Sequence, residues 1–318
     1  MRIPVTALFA VLAGPTASGK SDIAVAIAGD LGAELISMDS MQVYRGMDIG
    51  TGKPGPAERA GVPHHLIDVA DPREPFNTGE WIRLSEETAA GIRSRGRLPL
   101  FVGGTMLYLK ALAEGLFDGP PAVPELRRRL KQESEREGPG ALHARLAVVD
   151  PTAAARIHPG DARRIVRALE VYEATGRPWS SQACQWGRGP KPGIRAVAIL
   201  RGRPELDRRI AGRVDRMFKA GWVEEVRTLL AARSLGPTAR SALGYREIAE
   251  CLEGRVPFEG IQERIARRTR RFARKQEMWI RSMRWLEVIS VEGEASDARE
   301  AVLAALKKDP GFPGVDSA

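Results

Sequence analysis

The segment Gly14-Pro15-Thr16-Ala17-Ser18-Gly19-Lys20-Ser21 matches the pattern G-x-x-x-x-G-K-[ST]. It constrains the fold more than any other stretch of the chain. The pattern works only where a strand runs into a tight glycine turn that opens a helix, because backbone amides must converge on an anion at the helix N-terminus. The flanks meet that demand. Thr6 to Ala13 is a continuous apolar run, which suits a central parallel strand. Ser21 to Leu31 then puts Ile23, Ala26, Ile27 and Leu31 on one helical face and stops at Gly32. Val5 to Ala13 has the length of a signal-peptide core, but it passes directly into the glycine loop, and that context makes it a strand.

The strand–helix rhythm continues. Glu34 to Met38 reads as a second strand running into Asp39-Ser40. Trp81, Leu84, Thr88 and Ile92 line a helix that closes near Gly96, and Leu98 to Val102 is a further strand capped by Gly103-Gly104-Thr105. The alternation predicts an α/β fold, a P-loop NTPase-like parallel sheet flanked by helices, with ligands at the carboxyl ends of the strands. The pattern breaks at Gly119-Pro120-Pro121 and Pro124. From Glu125 to Thr175 only helical periodicity and charge remain, and a second Pro/Gly-rich stretch, Gly187 to Gly193, leads back to an apolar strand at Ala196 to Leu200. The expectation is a catalytic core made of residues 1–118 and 192–318, interrupted by a mostly helical inserted domain at 119–191. In the last third, Ile261, Ile265, Phe272, Trp279 and Met283 predict the buried seam of a long helix, Leu286 to Val291 predicts a last strand, and the tail after Pro310 is expected to fray.

Composition narrows the class. Apolar residues make up 43% of the 318, enough for a core, and no apolar run approaches the ~20 residues that a bilayer requires. Two cysteines, Cys184 and Cys251, support neither a disulfide framework nor a zinc site, and the chain is expected to be cytoplasmic and reduced. The adjacent His64 and His65 would point to opposite faces of an extended segment, so they read as structural or substrate-contacting. Lys plus Arg number 49 against 40 acidic residues, a net charge of +9. Much of the excess is local. Arg163, Arg164 and Arg167 lie in the helical block, and Arg264, Arg267, Arg268, Arg270, Arg271, Arg274 and Lys275 crowd one helix, with Arg281 and Arg284 after it. Only Glu263 and Glu277 lie nearby, so pairing along the helix cannot neutralise it, and a surface for a phosphate backbone is favoured over a merely solvated face.

At the glycine loop, the amides and helix N-terminus supply partial positive charge, Lys20 adds a full one, and the Ser21 hydroxyl can ligate Mg²⁺. The motif does not say whether the phosphates belong to a nucleotide or another carrier. Asp39, at the end of the second strand, reads equally as a metal-binding carboxylate, a general base or a turn residue.

In chain order, further pieces stand beside the loop: Glu-Leu-Ile-Ser-Met-Asp-Ser-Met-Gln-Val-Tyr-Arg-Gly-Met-Asp-Ile-Gly-Thr at 34–51, Pro-His-His-Leu-Ile-Asp at 63–68, Val-Gly-Gly-Thr-Met-Leu-Tyr at 102–108, Asp-Pro at 150–151, Arg-Ile-His-Pro at 156–159, Arg-Ala-Leu-Glu at 167–170 and Leu-Gly-Tyr-Arg-Glu at 243–247. Together they resemble the bacterial tRNA dimethylallyltransferases, also called tRNA isopentenyltransferases, over most of the chain. The resemblance implies transfer of a dimethylallyl group from dimethylallyl diphosphate to the exocyclic amine of the adenosine 3′ of the tRNA anticodon. It implies that residues 14–21 hold the donor diphosphate rather than ATP, with Thr16 and Lys20 on the diphosphate and Ser21 on Mg²⁺. It makes Asp39 the general base and aims Arg213 at the leaving group; the residues alone rank Arg213 as one surface arginine among several. For tRNA contacts it points to Asp39, Ser40, Met41 and Gln42, to Thr105 and Arg127, to Arg163, Arg164, Ile165, Val166 and Arg167, and to Ser241, Ala242, Leu243, Gly244, Tyr245 and Arg246. The expected partners are the tRNA anticodon stem-loop and dimethylallyl diphosphate, with no membrane, and the expected state is a monomer. Gly52 stands where the family usually has Ala, and two cysteines cannot build the zinc finger of eukaryotic relatives. A P-loop kinase, a prenyltransferase of free AMP and a non-catalytic RNA-binding protein are the rival readings.

Overall fold

In a computed structural model, which describes residues 9–117, 119–120, 123–182, 186, 189–293 and 298–308, the P-loop does join a strand to a helix. Thr6, Pro121, Cys184, Gly187 and the tail beyond Pro310 lie outside the described residues. The first half runs β1 (Phe9–Ala13), α1 (Lys20–Leu31), β2 (Ala33–Met38), α2 (Pro56–Gly61), β3 (His64–His65), α3 (Thr78–Ser94), β4 (Leu98–Gly103) and α4 (Met106–Glu114). Five helices follow: α5 (Pro124–Glu137), α6 (Pro139–Val149), α7 (Pro151–Ala154), α8 (Ala162–Thr175) and α9 (Trp179–Gln182). The chain then returns through β5 (Ile194–Arg201), α10 (Arg203–Lys219), α11 (Trp222–Ala231), α12 (Pro237–Arg240), α13 (Tyr245–Leu252), α14 (Ile261–Ser282), β6 (Glu287–Val291) and α15 (Arg299–Lys307).

The six strands form one sheet, all parallel, in the order β3-β2-β4-β1-β5-β6. Ala10 to Ala13 are buried on both faces of β1, as a central parallel strand requires. Register decides where the ligand cleft lies. Gly103 pairs with Ala13 of β1 and with Met38 of β2, so the chain leaves all three strands at one level. The P-loop, Asp39 and Gly104-Thr105 therefore emerge side by side at the carboxyl edge.

By contacts the chain divides into two units. One comprises the described residues of Met1–Ala113 and Pro190–Ala318, the other Glu114–Gly189. The division falls a few residues before the Pro/Gly boundaries at 118/119 and 191/192. Two hydrogen bonds explain the offset. Lys191 N donates to Ala113 O at 2.7 Å within the first unit, and Trp186 Nε1 donates to Gly115 O at 3.0 Å within the second. The inserted unit has its own core of Leu130, Leu142, Leu146, Ile157, Ile165 and Leu169. Buried Glu170 organises it, accepting from Val123 N at 2.9 Å, Arg127 at 2.7 Å and Arg167 at 2.8 Å. Burial alone would raise the Glu170 pKa; the two guanidinium bonds and the amide outweigh that and hold it below the usual range.

Three helical faces differ from the sequence periodicity. In α1, Ala26 faces solvent, and Ala24 and Ala28 join Ile23, Ile27 and Leu31 inside. In α3 the deepest stripe is Trp81, Ser85, Ala89 and Ile92, with Leu84 and Thr88 only half-buried. In α14 the seam is Ile261, Ile265, Ala266, Ala273, Gln276 and Ile280, and Phe272 is 45% exposed. Small and polar side chains can occupy the buried stripe of a helix, which a purely apolar periodicity overlooks.

Candidate active site

A cavity of about 350 Å³ lies at the carboxyl edge of the sheet, entirely within the core unit. Thr16, Lys20 and Ser21 form one wall. The P-loop owes its shape to backbone geometry. Gly19 takes φ 90° as the N-cap of α1, a left-handed conformation that a side chain would strain, so the first turn of the helix can face the cavity. Two arginines brace the loop from behind: Arg201 Nε donates to Ser18 O at 2.7 Å and Arg209 Nε to Ala17 O at 3.1 Å.

A second wall carries Asp39, Ser40, Met41 and Gln42. Asp39 Oδ1 accepts from Met41 N at 2.8 Å and Gln42 N at 3.3 Å, the self-closing turn that Asp favours after a strand. Oδ2 has no protein partner among the described residues. Thr105 holds the same turn, because its Oγ1 accepts from Ser40 N at 3.1 Å. Gln42 reaches across, donating to Gly52 O at 3.2 Å.

Arg213 on α10 forms a third wall, and its neighbours Ile210, Val214 and Met217 supply an apolar stripe beside it. Its Nη2 donates to Thr51 O at 3.3 Å. The surface reading of Arg213 is thereby corrected: helical spacing puts it on the inward face with those three. Burial, then the facing charge of Arg213, lowers the Lys20 pKa to about 8, with Asp39 pulling the other way. Burial also lowers Arg213, again opposed by Asp39. Lys20 Nζ donates to Pro15 O at 3.2 Å, and among the described residues neither cation has a carboxylate ion pair. The site therefore presents two partly desolvated cations, loop amides and one carboxylate.

Ser241, Ala242, Leu243 and Tyr245 also line the cavity. Tyr245 is fully buried and its hydroxyl donates to Glu225 Oε1 at 2.5 Å; burial and that carboxylate push its pKa up. It supports the wall from behind. Gly244 N is taken by Glu247, and Arg246 pairs with Glu247 and Glu250. In the inserted unit, Arg163 and Arg164 are exposed, whereas Ile165 and Val166 are buried in its core. The apolar side chains of these two pack in that core with residues of α5 and α6. Arg127 and Arg167 are half-exposed and tied to Glu170.

Several cavity residues escaped the sequence reading. Trp222, Phe272 and Gln276 line it, and Glu225 anchors its rim by accepting from Asp48 N, Ile49 N and Gly50 N. Gln276 alone left a usable signal, as a polar residue four positions from Phe272 in an otherwise apolar seam. The basic helix is less naked than its composition suggested. Arg268 pairs with Glu247, and Arg270 with Glu263 at 3.0 Å. Arg267, Arg271, Arg274 and Lys275 are exposed and have no carboxylate partner among the described residues. His65 Nε2 donates to Glu34 Oε2 and His64 Nδ1 to Val62 O, both at 2.7 Å. Among the described residues no three His, Cys, Asp or Glu side chains cluster as a metal site, and no helix is long and apolar enough to cross a membrane.

The IPP transferase family model matches residues 42–283, and the isopentenyl transferase model matches residues 7–69. The chain belongs to the IPP transferase family. Among its relatives in that family, the tRNA dimethylallyltransferase of Symbiobacterium thermophilum is 47% identical over 314 residues, spanning 98% of this chain and 97% of the relative. That of Sorangium cellulosum is 46% identical over 272 residues, 85% and 87% of the two chains. The full-length tRNA isopentenylpyrophosphate transferase structure from Bacillus halodurans superposes with a TM-score of 0.68 at 35% identity, covering 94% of this chain and 96% of that one. A eukaryotic dimethylallyltransferase captured acting on tRNA superposes at 0.73 with 28% identity, covering 88% and 73%. As a member of the IPP transferase family, the chain is a prenyltransferase enzyme of tRNA modification.

Proposed function

We propose that this enzyme transfers the dimethylallyl group of dimethylallyl diphosphate to the exocyclic N6 amine of the adenosine 3′ to the anticodon of tRNA, releasing diphosphate. The observation that carries the reading is the pairing, in one cavity, of two cations at a P-loop with a carboxylate, the cations without carboxylate ion pairs and one carboxylate oxygen without a protein partner among the described residues.

The exocyclic amine is a weak nucleophile, because its lone pair is delocalised into the ring. Asp39 Oδ2 accepts the amine proton as the new C–N bond forms, a contribution of ~10²–10⁴-fold. The allylic C–O bond breaks in the same event, and its electron pair leaves on the diphosphate. Lys20, Arg213 and the loop amides hold that growing charge, with Thr16 at the same wall. Ile210, Val214 and Met217 offer the apolar stripe on which the five-carbon group can lie. Ser21 supplies a hydroxyl to the cavity, and among the described residues no cluster of three carboxylate, His or Cys side chains surrounds it; a hydroxyl beside a diphosphate site is a donor that fits Mg²⁺. Ser21 would hold such an ion, which would supply charge neutralisation at the leaving group.

Adenine inside a stacked loop cannot reach such a cavity, so the nucleotide is extruded into it, at a cost of a few kcal/mol. Arg267, Arg271, Arg274 and Lys275 on α14, together with Arg163 and Arg164 of the inserted unit, supply charge for the phosphates of the anticodon arm. Residues 119–191 are accordingly read as an RNA-contacting insertion, and the enzyme as a cytoplasmic monomer.

The test is direct. Labelled dimethylallyl diphosphate with Mg²⁺ labels unmodified tRNA but not AMP, and ATP is not consumed. Asp39→Ala cuts single-turnover transfer by at least about 10²-fold while tRNA affinity changes less than about three-fold. Label on AMP, or near-normal turnover of Asp39→Ala, overturns the reading.

A further inference from the structure

Gln276 occupies a position on α14 whose buried neighbours, Ala273 and Ile280, are apolar. It is 5% exposed, so its carboxamide must find partners inside the protein. Its Oε1 accepts from Thr16 N at 2.9 Å and its Nε2 donates to Gly104 O at 2.7 Å. The orientation of the amide is forced, because a peptide N–H only donates and a peptide carbonyl only accepts; a flip breaks both bonds. The close approach also depends on the residue it meets. A Cβ on Gly104 would stand 2.4 Å from Nε2, so only glycine lets the amide reach the carbonyl.

The connection extends past Gly104. The next residue, Thr105, accepts from Ser40 N at 3.1 Å and donates its own N–H to Met38 O at 3.2 Å. Asp39 lies between those two partners. One side chain on a helix remote in sequence, 260 residues from Thr16, thus spans the P-loop and the loop that holds the Asp39 turn.

We propose that Gln276 is a positioning residue for the transfer reaction. It holds Thr16, on the donor side, at a fixed spacing from Gly104-Thr105 and so from Asp39, on the acceptor side. The proposal rests on the reading above, in which the P-loop binds the donor and Asp39 meets the amine. Transfer between two bound substrates is steep in their separation, and misplacement by about 1 Å can cost ~10²-fold.

Steady-state and single-turnover transfer of labelled dimethylallyl groups to unmodified tRNA, with the full chain, tests it. Gln276→Met keeps the volume and removes both hydrogen bonds; kcat falls about 10–100-fold, whereas KM for tRNA stays within about two-fold. Gln276→Glu is the sharper variant. Ionised, it can only accept; protonated, it accepts and donates as glutamine does. The ratio of its kcat to that of the wild type therefore rises about five-fold or more from pH 8 to pH 6, and the Gln276→Met ratio stays flat. A general loss of packing produces no such pH signature. If Gln276→Met does not fold, the Gln276→Glu ratio decides alone. Wild-type kcat in Gln276→Met, or a Gln276→Glu ratio that is low and flat from pH 8 to pH 6, overturns the proposal while leaving the reading of the site intact. A wild-type chain that transfers no label overturns both.

Discussion

The cavity and the inserted unit both take charges out of water, and they treat them oppositely. In the inserted unit, Glu170 receives two guanidinium groups and an amide, and Glu173 is tied to Arg129 and Arg145. In the cavity, Lys20 and Arg213 make their hydrogen bonds to the carbonyls of Pro15 and Thr51, and Asp39 attracts them only through space. A buried charge answered by its own protein holds architecture in place. A charge left with carbonyls alone is held ready for a ligand, and the protein bears the desolvation until one arrives.

The contrast is broken most strongly at Lys20. Lys20→Met lowers prenyl transfer about 10²–10³-fold, the scale of one lost oxyanion donor. Its melting temperature is equal to or above that of the wild type, because an uncompensated cation has gone. A melting temperature several degrees lower with transfer intact would place Lys20 among the architectural charges instead.

The reciprocal change is Glu170→Ala. It strands the Val123 amide and two arginines, and it costs about 1–3 kcal/mol, less than a fully buried pair because Arg127 and Arg167 can turn to water. Hydrogen exchange of the full chain reads the loss in residues 124–175, with protection in the sheet unchanged. Uniform loss across both units would show that the pairing is not local to the insertion.

The smallest effect sharpens the contrast by titration. The Lys20 pKa of about 8 lies below its ordinary 10.5, so between those values the unfolded chain binds more protons and stability rises with pH. Diphosphate binding does the reverse, since an anion beside Lys20 raises its pKa. Donor affinity therefore falls as pH rises above about 8, and binding at pH 8.5 takes up a fraction of a proton. Calorimetry in two buffers of different ionisation enthalpy measures that uptake, and Lys20→Met abolishes it.

How much of this was legible depends on the range of the cause. β1, the P-loop and α1 could be read because each depends on neighbours a few residues apart: an apolar run, a glycine turn, a helical stripe. The same holds for the strand at Leu98–Gly103 and for the helical character of residues 124–175. Phe272 and Ala26 were misplaced because apolar periodicity cannot tell a residue that faces the core from one that faces a cavity or water. Arg213 could not be ranked above its fellow arginines on α10, since the feature that sets it apart is the cavity it faces, lined by the P-loop, the Asp39 turn and Val102 and Gly103 at the end of β4. Ile165 and Val166 stood inside an arginine segment by position and inside a hydrophobic core by packing.

The sequence by itself determined a phosphate-binding strand–loop–helix, a parallel sheet around it, a helical interruption and an excess of basic charge on one helix. Those properties are local sums over adjacent residues. The tertiary structure decided which charges remain without partners and which distant side chains share a cavity. Gln276 shows why: its place between Thr16 and Gly104 follows from the meeting of α14, the P-loop and the end of β4. Only the packed sheet brings those three segments within hydrogen-bond reach.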